Sequence, residues 1–203
     1  MRNLPHDFPP HATVSNFYYA AIKSGLWEKL LTALVRNTRE QTGRTSEPSY
    51  AIIDSQNVKT TGSAQKRGID GEKTKGHKRH IVTDTMGNLL AVVVHATNIH
   101  NTKAGIIAAK RAVEKYPSIQ RFCAYAGYRK TFEKDVAELL GLSVDISKRI
   151  TSEWQALSKH WVVGRIFAFM NNSRRLSKDY EIPILSSQAM CMILALRVLI
   201  SRF

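Results

Sequence analysis

The segment HIVTDTMGNLLAVVVHAT at 80–97 constrains the fold more than any other stretch. Two β-branched runs flank Met86-Gly87-Asn88, which reads as a β-hairpin. Before it, Tyr50 to Val58 read as a strand, apolar up to Asp54 and polar beyond it. After it come a helix from His100 to Tyr116, ended by Pro117, and a strand from Gln120 to Ala126. A helix from Thr131 to Leu140, closed by Gly141, and a short strand from Leu142 to Ile146 follow. Ser152 to Leu176 carry a long helical pattern, with Val163, Ile166, Phe167 and Met170 on one face. Trp161 and Phe169 read as core residues of that helix. Ser186 is placed to cap a last helix to Ile200, apolar nearly all round and therefore buried or covered by a partner.

At the N-terminal side, Pro5, Pro9 and Pro10 make residues 1–14 an extended arm, and Asn16 to Arg39 form a single helix. Thr42 to Ser49 are a loop, and residues 59–79, with seven Lys or Arg, two acids and four glycines, a flexible basic loop. The element order predicts a mixed α/β sheet flanked by helices, an order that ribonuclease-H-like sheets share, with a short N-terminal helical arm. The division is an arm and helix over 1–49 and a sheet domain over 50–203.

The formal charge is +14, and every quarter of the chain carries an excess of cations. A charge spread over a folded body points to a polyanion, above all nucleic acid. Cys123 and Cys191 sit in apolar stretches without metal-ligand spacing and read as buried free thiols of a reducing compartment. The apolar run from Ala189 to Leu196 is too short to span a membrane, and no signal-peptide core opens the chain. A cytoplasmic, nucleoid-associated protein is expected.

AIIDSQNVKTT at 51–61, GHKRHIVTDTMGNLLAVVVHATNIHNTKAG at 76–105 and HWVVGRIFAFMNNSRRLSKDYE at 160–181 resemble bacterial insertion-sequence transposases of the DDE class. The nearest group is insertion-sequence family five, and LPHDFPPHATV is similar to the stretch those proteins carry before their catalytic domain. The resemblance implies a ribonuclease-H-like domain whose three carboxylates hold two Mg²⁺ ions for DNA cleavage and strand transfer. It also implies a further N-terminal segment, absent here through truncation or supplied by an upstream reading frame.

Carried onto this sequence, the first acid is Asp54 in IIDSQ. Tyr125 in AYAGYR stands where the family has its second, and Gly164 in WVVGRIFAF where it has its third. A phenol is a poor Mg²⁺ ligand and glycine offers none. Mg²⁺ is thus expected to bind poorly, whether Glu153, Asp84 or Asp145 lies nearby or not. Lys59, Lys73, Lys75, Lys78, Arg79 and His80 flank the Asp54 strand; Arg129 and Lys130 follow the second position, and Arg165, Arg174, Arg175 and Lys178 the third. These are the candidate phosphate contacts. His77, His95 and His100 lack zinc spacing and read as structural or phosphate-contacting, as His80 could also be. The reading is a degenerate transposition protein with DNA as partner, self-associating or joining an intact transposase. The alternatives are an inactive, interfering DNA-binding remnant and an unrelated basic RNA-binding protein.

Overall fold

The computed structural model describes residues 4–71, 73–147 and 160–202. Six strands form one mixed sheet: β1 (Tyr50–Lys59), β2 (Gly68–Ile69), β3 (Lys75–Asp84), β4 (Leu89–Ala96), β5 (Arg121–Ala124) and β6 (Ser143–Ile146). β1 lies at the centre, antiparallel to β3 and parallel to β5. β4 pairs antiparallel with β3, and β6 parallel with β5. Leaving out the two-residue β2, the spatial order is β4-β3-β1-β5-β6. This is the ribonuclease-H-like arrangement: three antiparallel strands followed by two parallel crossovers through helices.

Six helices surround the sheet: α1 (His11–Lys23), α2 (Leu26–Gln41), α3 (Asn101–Lys115), α4 (Thr131–Leu140), α5 (His160–Asn172) and α6 (Ile184–Ile200). Side chains directly opposite across β1 and β3 share a face. The pairs Asp54–Ile81 and Gln56–Arg79 face α5; Ser55–His80 and Ile53–Val82 face α3. One apolar core joins the layers, and α2 contributes Leu31 and Val35 to it.

Several boundaries differ from those read in the sequence. The single N-terminal helix is two, because Gly25 adopts φ 68° and breaks the ladder between α1 and α2. α1 begins at His11, directly after Pro10, so the extended arm ends earlier than residue 14. The basic loop ends at 74: GHKRH belongs to β3, which pairs with β1 as far as Lys59–Gly76. Its polar residues hide the strand from hydrophobic periodicity. β5 stops at Ala124, and Ala126–Tyr128 make one 3₁₀ turn. α5 ends at Asn172 in a set of turns that includes Leu176, and the expected stretch 152–159, with Glu153, lies outside the described residues. Ser186 caps nothing: α6 starts at Ile184 after Pro183, and the Ser186 hydroxyl donates to Glu181. α6 is largely buried, yet Leu185 and Ile200 face solvent.

Candidate functional site

Asp54 occupies the point where β1 passes from its apolar half to its polar half. Ala51, Ile52 and Ile53 are fully buried, whereas Asp54, Ser55 and Gln56 are half-buried. The Asp54 Oδ1 accepts the Ser55 backbone N–H at 2.7 Å. Ile53 pairs with Ala124 in parallel register, so Asp54 and Tyr125 leave the two strands side by side. Tyr125 opens the 3₁₀ turn and is 39% exposed.

α5 supplies the third side. Near its start the Arg165 Nη2 donates to the Met86 carbonyl in the β3–β4 turn at 2.9 Å. At its end the Asn171 Oδ1 accepts from Gln56 Nε2 at 3.0 Å. Asn171 and Gly164 are two turns apart on one flank of the helix, and Gln56 shares a sheet face with Asp54. The Gly164 flank therefore faces β1, about 10 Å back along the helix axis from Asn171, toward the level of Asp54. A Cβ added at Gly164 would meet nothing within 4 Å.

The register thus sets Asp54 beside Tyr125, the Gly164 flank of α5 faces β1, and the three positions hold one carboxylate among them. Two divalent cations need several anionic oxygens within bonding distance. Among the described residues no three His, Cys, Asp or Glu are grouped to hold a metal ion. Asp84 and Asp145 are committed elsewhere, to Arg39 and to Tyr50 and Arg121. Among the described residues the donor set does not fit a paired-metal centre.

The basic candidates divide sharply. Lys59, Lys73, Lys75, Arg129, Lys130 and Arg174 are exposed, and Lys178 is half-buried. Arg175 is exposed but holds Glu181 through two hydrogen bonds, at 2.9 and 2.6 Å. Lys78 is half-buried and donates to the Ile99 carbonyl and Asn101 Oδ1. Arg165 is occupied by Met86 and by Trp161, whose ring centre lies 5.0 Å from the guanidinium carbon. Arg79 and His80 are fully buried, so neither contacts a phosphate. Arg79 instead ties β3 to the Leu176 carbonyl at 2.8 Å. Trp161 and Phe169, read as core, are exposed by 54% and 40%, because they lie off the Val163–Met170 stripe of α5.

His77, His80 and His95 are structural. His77 Nδ1 meets Asp179 Oδ2 at 2.9 Å and Nε2 meets the Gln65 carbonyl at 2.7 Å. Two acceptors require both ring nitrogens to be protonated. Burial pushes the His77 pKa down, but the Asp179 carboxylate and Gln65 carbonyl more than reverse it, and the net shift is upward. Asp179, which also accepts from Ser187, went unnoticed in the sequence; its sole signal there was an acid two residues before Glu181. His80 stacks on His95 with ring centres 4.8 Å apart and meets the Tyr128 hydroxyl at 2.8 Å. Burial first, then His95 and Lys78, drive His80 down to about 2. Burial also lowers His95.

A pH dependence follows. Below pH 6.5 the unfolded chain protonates His80 while the folded chain does not until about pH 2, so stability falls with acid by up to about 1.4 kcal/mol per pH unit, and the lowering of His95 acts in the same direction. His77 works oppositely: its contribution is complete below 6.5 and fades as pH rises through its raised value. Urea midpoints are expected to fall from pH 6.5 to 5, less steeply in His80→Gln. A midpoint that rises over that window contradicts the assignment.

Comparison with known proteins adds the following. The family described as transposase DDE domain matches residues 45–199. The Burkholderia cepacia protein named "Putative transposase for insertion sequence element IS402" is 30% identical over 114 residues, which are 52% of this chain and 54% of that protein. The chain therefore spans about half the length of this curated relative. Among solved structures, the catalytic core domain of BIV integrase aligns with a TM-score of 0.39 and 9% identity, over 73% of this chain and 80% of that one. The Mos1 mariner paired-end complex with Mn aligns with a TM-score of 0.36 and 13% identity, over 87% of this chain and 60% of that one.

Proposed function

Since this chain belongs to the transposase DDE-domain family, we propose that it is an insertion-sequence protein of the family-five group that binds DNA without cutting it. The observation that supports the reading is the strand register that sets Asp54 beside Tyr125, together with the Gln56–Asn171 bond that turns the Gly164 flank of α5 toward β1; a cleaving member needs three carboxylates at such positions. Asp54 supplies one, Tyr125 a phenol, and Gly164 nothing. Mg²⁺, the metal the family resemblance implies, finds a single carboxylate at these three positions, and no chemical step is assigned to this centre.

What remains is electrostatic. Lys59, Arg129, Lys130, Arg174 and Lys178 present cations at the surface, and the net charge of +14 adds long-range attraction. Such contacts hold phosphates and position DNA without reading its bases. A chain that occupies DNA without processing it would compete with intact relatives for the same sites. That interfering role, exercised alone or in mixed assemblies with an intact transposase, is the biological consequence we favour. No helix among the described residues is long and apolar enough to cross a membrane.

Fluorescence anisotropy with duplex DNA over a range of salt tests the proposal. Each neutralised phosphate contributes about −0.9 to the log–log slope, so five contacts give a slope of about −4 to −5. Lys130→Ala should make it shallower by about one. Affinity that does not change with salt, or no binding at low salt, overturns the reading.

A further inference from the structure

A cavity of about 760 Å³ lies at the edge of the sheet, away from Asp54. Five elements line it: α1, α2, β4, α3 and α6. β4 is the outermost of the strands involved, with β3 between it and the central β1. The volume is in the range that encloses small organic ligands, roughly 300–1,000 Å³.

The lining is of two kinds. Ile22, Ala33, Val92, Leu185 and Met192 are apolar. Its charged members are Lys29, Arg36, Arg111 and Lys115 against Glu28 and Glu114, an excess of cations. Arg111 Nη1 donates to the Val92 carbonyl at 3.2 Å and to Gln188 Oε1 at 3.0 Å. Both acceptors are neutral, and Arg111 has no carboxylate partner among the described residues. Lys115 Nζ donates to the Leu90 carbonyl at 2.7 Å and to Glu28 Oε1 at 2.8 Å, which uses two of its three protons. Burial lowers the Lys115 pKa although Glu28 opposes it, so a second anion beside the ammonium would be favourable. Trp27, also in the lining, buries its indole N–H with no acceptor among the described residues. Donors in excess thus stand in a largely apolar wall.

We propose that this cavity binds a small amphipathic carboxylic acid, its carboxylate received by Arg111 and Lys115 and its apolar body by Ile22, Val92, Leu185 and Met192. A planar carboxylate matches the guanidinium fork, and hydrogen bonds between ionised partners are roughly twice as strong as neutral ones. Duplex DNA is too wide to enter, and Glu28 and Glu114 repel a run of phosphates more than a single anion beside Arg111. The lining shares no residue with the proposed DNA contacts.

Isothermal titration calorimetry with para-biphenylcarboxylate and with the neutral carboxamide of the same shape tests the assignment. The acid is expected to bind at least about tenfold more tightly than the amide. Arg111→Met, which keeps an unbranched apolar side chain, should bring that ratio toward one. Ala33→Phe, at an exposed position of the lining, should weaken both probes at least about fivefold by filling space. Circular dichroism verifies that both variants are folded, and the comparison of acid with amide needs only the parent. No binding of the acid at millimolar concentration overturns the proposal, as does equal affinity for acid and amide. A preference unchanged in both variants overturns it by placing the probe elsewhere. Displacement of the acid by duplex DNA also overturns it, because these cations would then belong to phosphates. The first three failures leave the DNA-binding reading standing.

Discussion

Tyr125→Asp combined with Gly164→Glu is expected to convert the chain from one without saturable divalent-cation binding to one that binds Mn²⁺ at least about tenfold more tightly than the parent. Ile53–Ala124 pairing sets residues 54 and 125 side by side, and the Gln56–Asn171 bond turns the Gly164 flank toward β1. A glutamate at 164 enters open space, and leaving glycine favours the helix by about 0.5 kcal/mol. Tyr125 is exposed, so its replacement removes little core. The single variants should each fall well short of the pair, because ligands to a shared cation are not additive. Electron paramagnetic resonance of Mn²⁺ titrations reads the difference. A folded double variant with parental Mn²⁺ affinity would show that residues 54, 125 and 164 are too far apart to share an ion.

The second large effect is on stability. Asp84→Ala should destabilise the fold by about 3–5 kcal/mol, the usual consequence of leaving a buried charge unpaired. Asp84 is fully buried at the end of β3, and its carboxylate accepts the backbone N–H groups of Met86 and Asn88, Asn88 Nδ2 and Arg39 Nη1, at 2.8–2.9 Å. It therefore shapes the β3–β4 turn and binds α2 to the sheet. Arg39, 5% exposed, keeps the Thr45 carbonyl but loses its counter-ion. Asp84→Asn keeps an oxygen for the backbone N–H groups of Met86 and Asn88, though not for Asn88 Nδ2 and Arg39, and should lose less. Urea unfolding measures both; a loss under about 1 kcal/mol for Asp84→Ala would mean that the pair is not closed.

These contacts show where sequence reading succeeds and where it stops. The hairpin around Gly87, the helix closed by Gly141 and the central strand whose apolar half runs up to Asp54 each announce themselves by apolar runs and turn residues, and each is found in the structure. The first half of β3 does not. Gly76 to Arg79 read as basic loop because burial there is achieved by polar partners, His77 by Asp179 and Gln65 and Arg79 by Leu176, and His80 at the hairpin start is likewise held by Tyr128 and His95. Those partners lie up to 102 residues away, beyond any local pattern. The same distance problem made Arg79 and His80 look like phosphate ligands and hid Asp179. Trp161 and Phe169 failed for the opposite reason, since their hydrophobicity outweighed their position off the buried stripe of α5. Asp54, Tyr125 and Gly164 were located by resemblance to family strings, and their spacing in the sequence carries no sign of how the strands and α5 place them.

Nicking of supercoiled plasmid by the purified chain, in Mg²⁺ and in Mn²⁺ beside an Asp54→Ala variant, tests the loss of the cleaving centre most directly. Equal background rates for the two proteins in both metals are the predicted result. Metal-dependent nicking by the parent that disappears in Asp54→Ala would contradict it, because ligands other than residues 125 and 164 would then be completing the site.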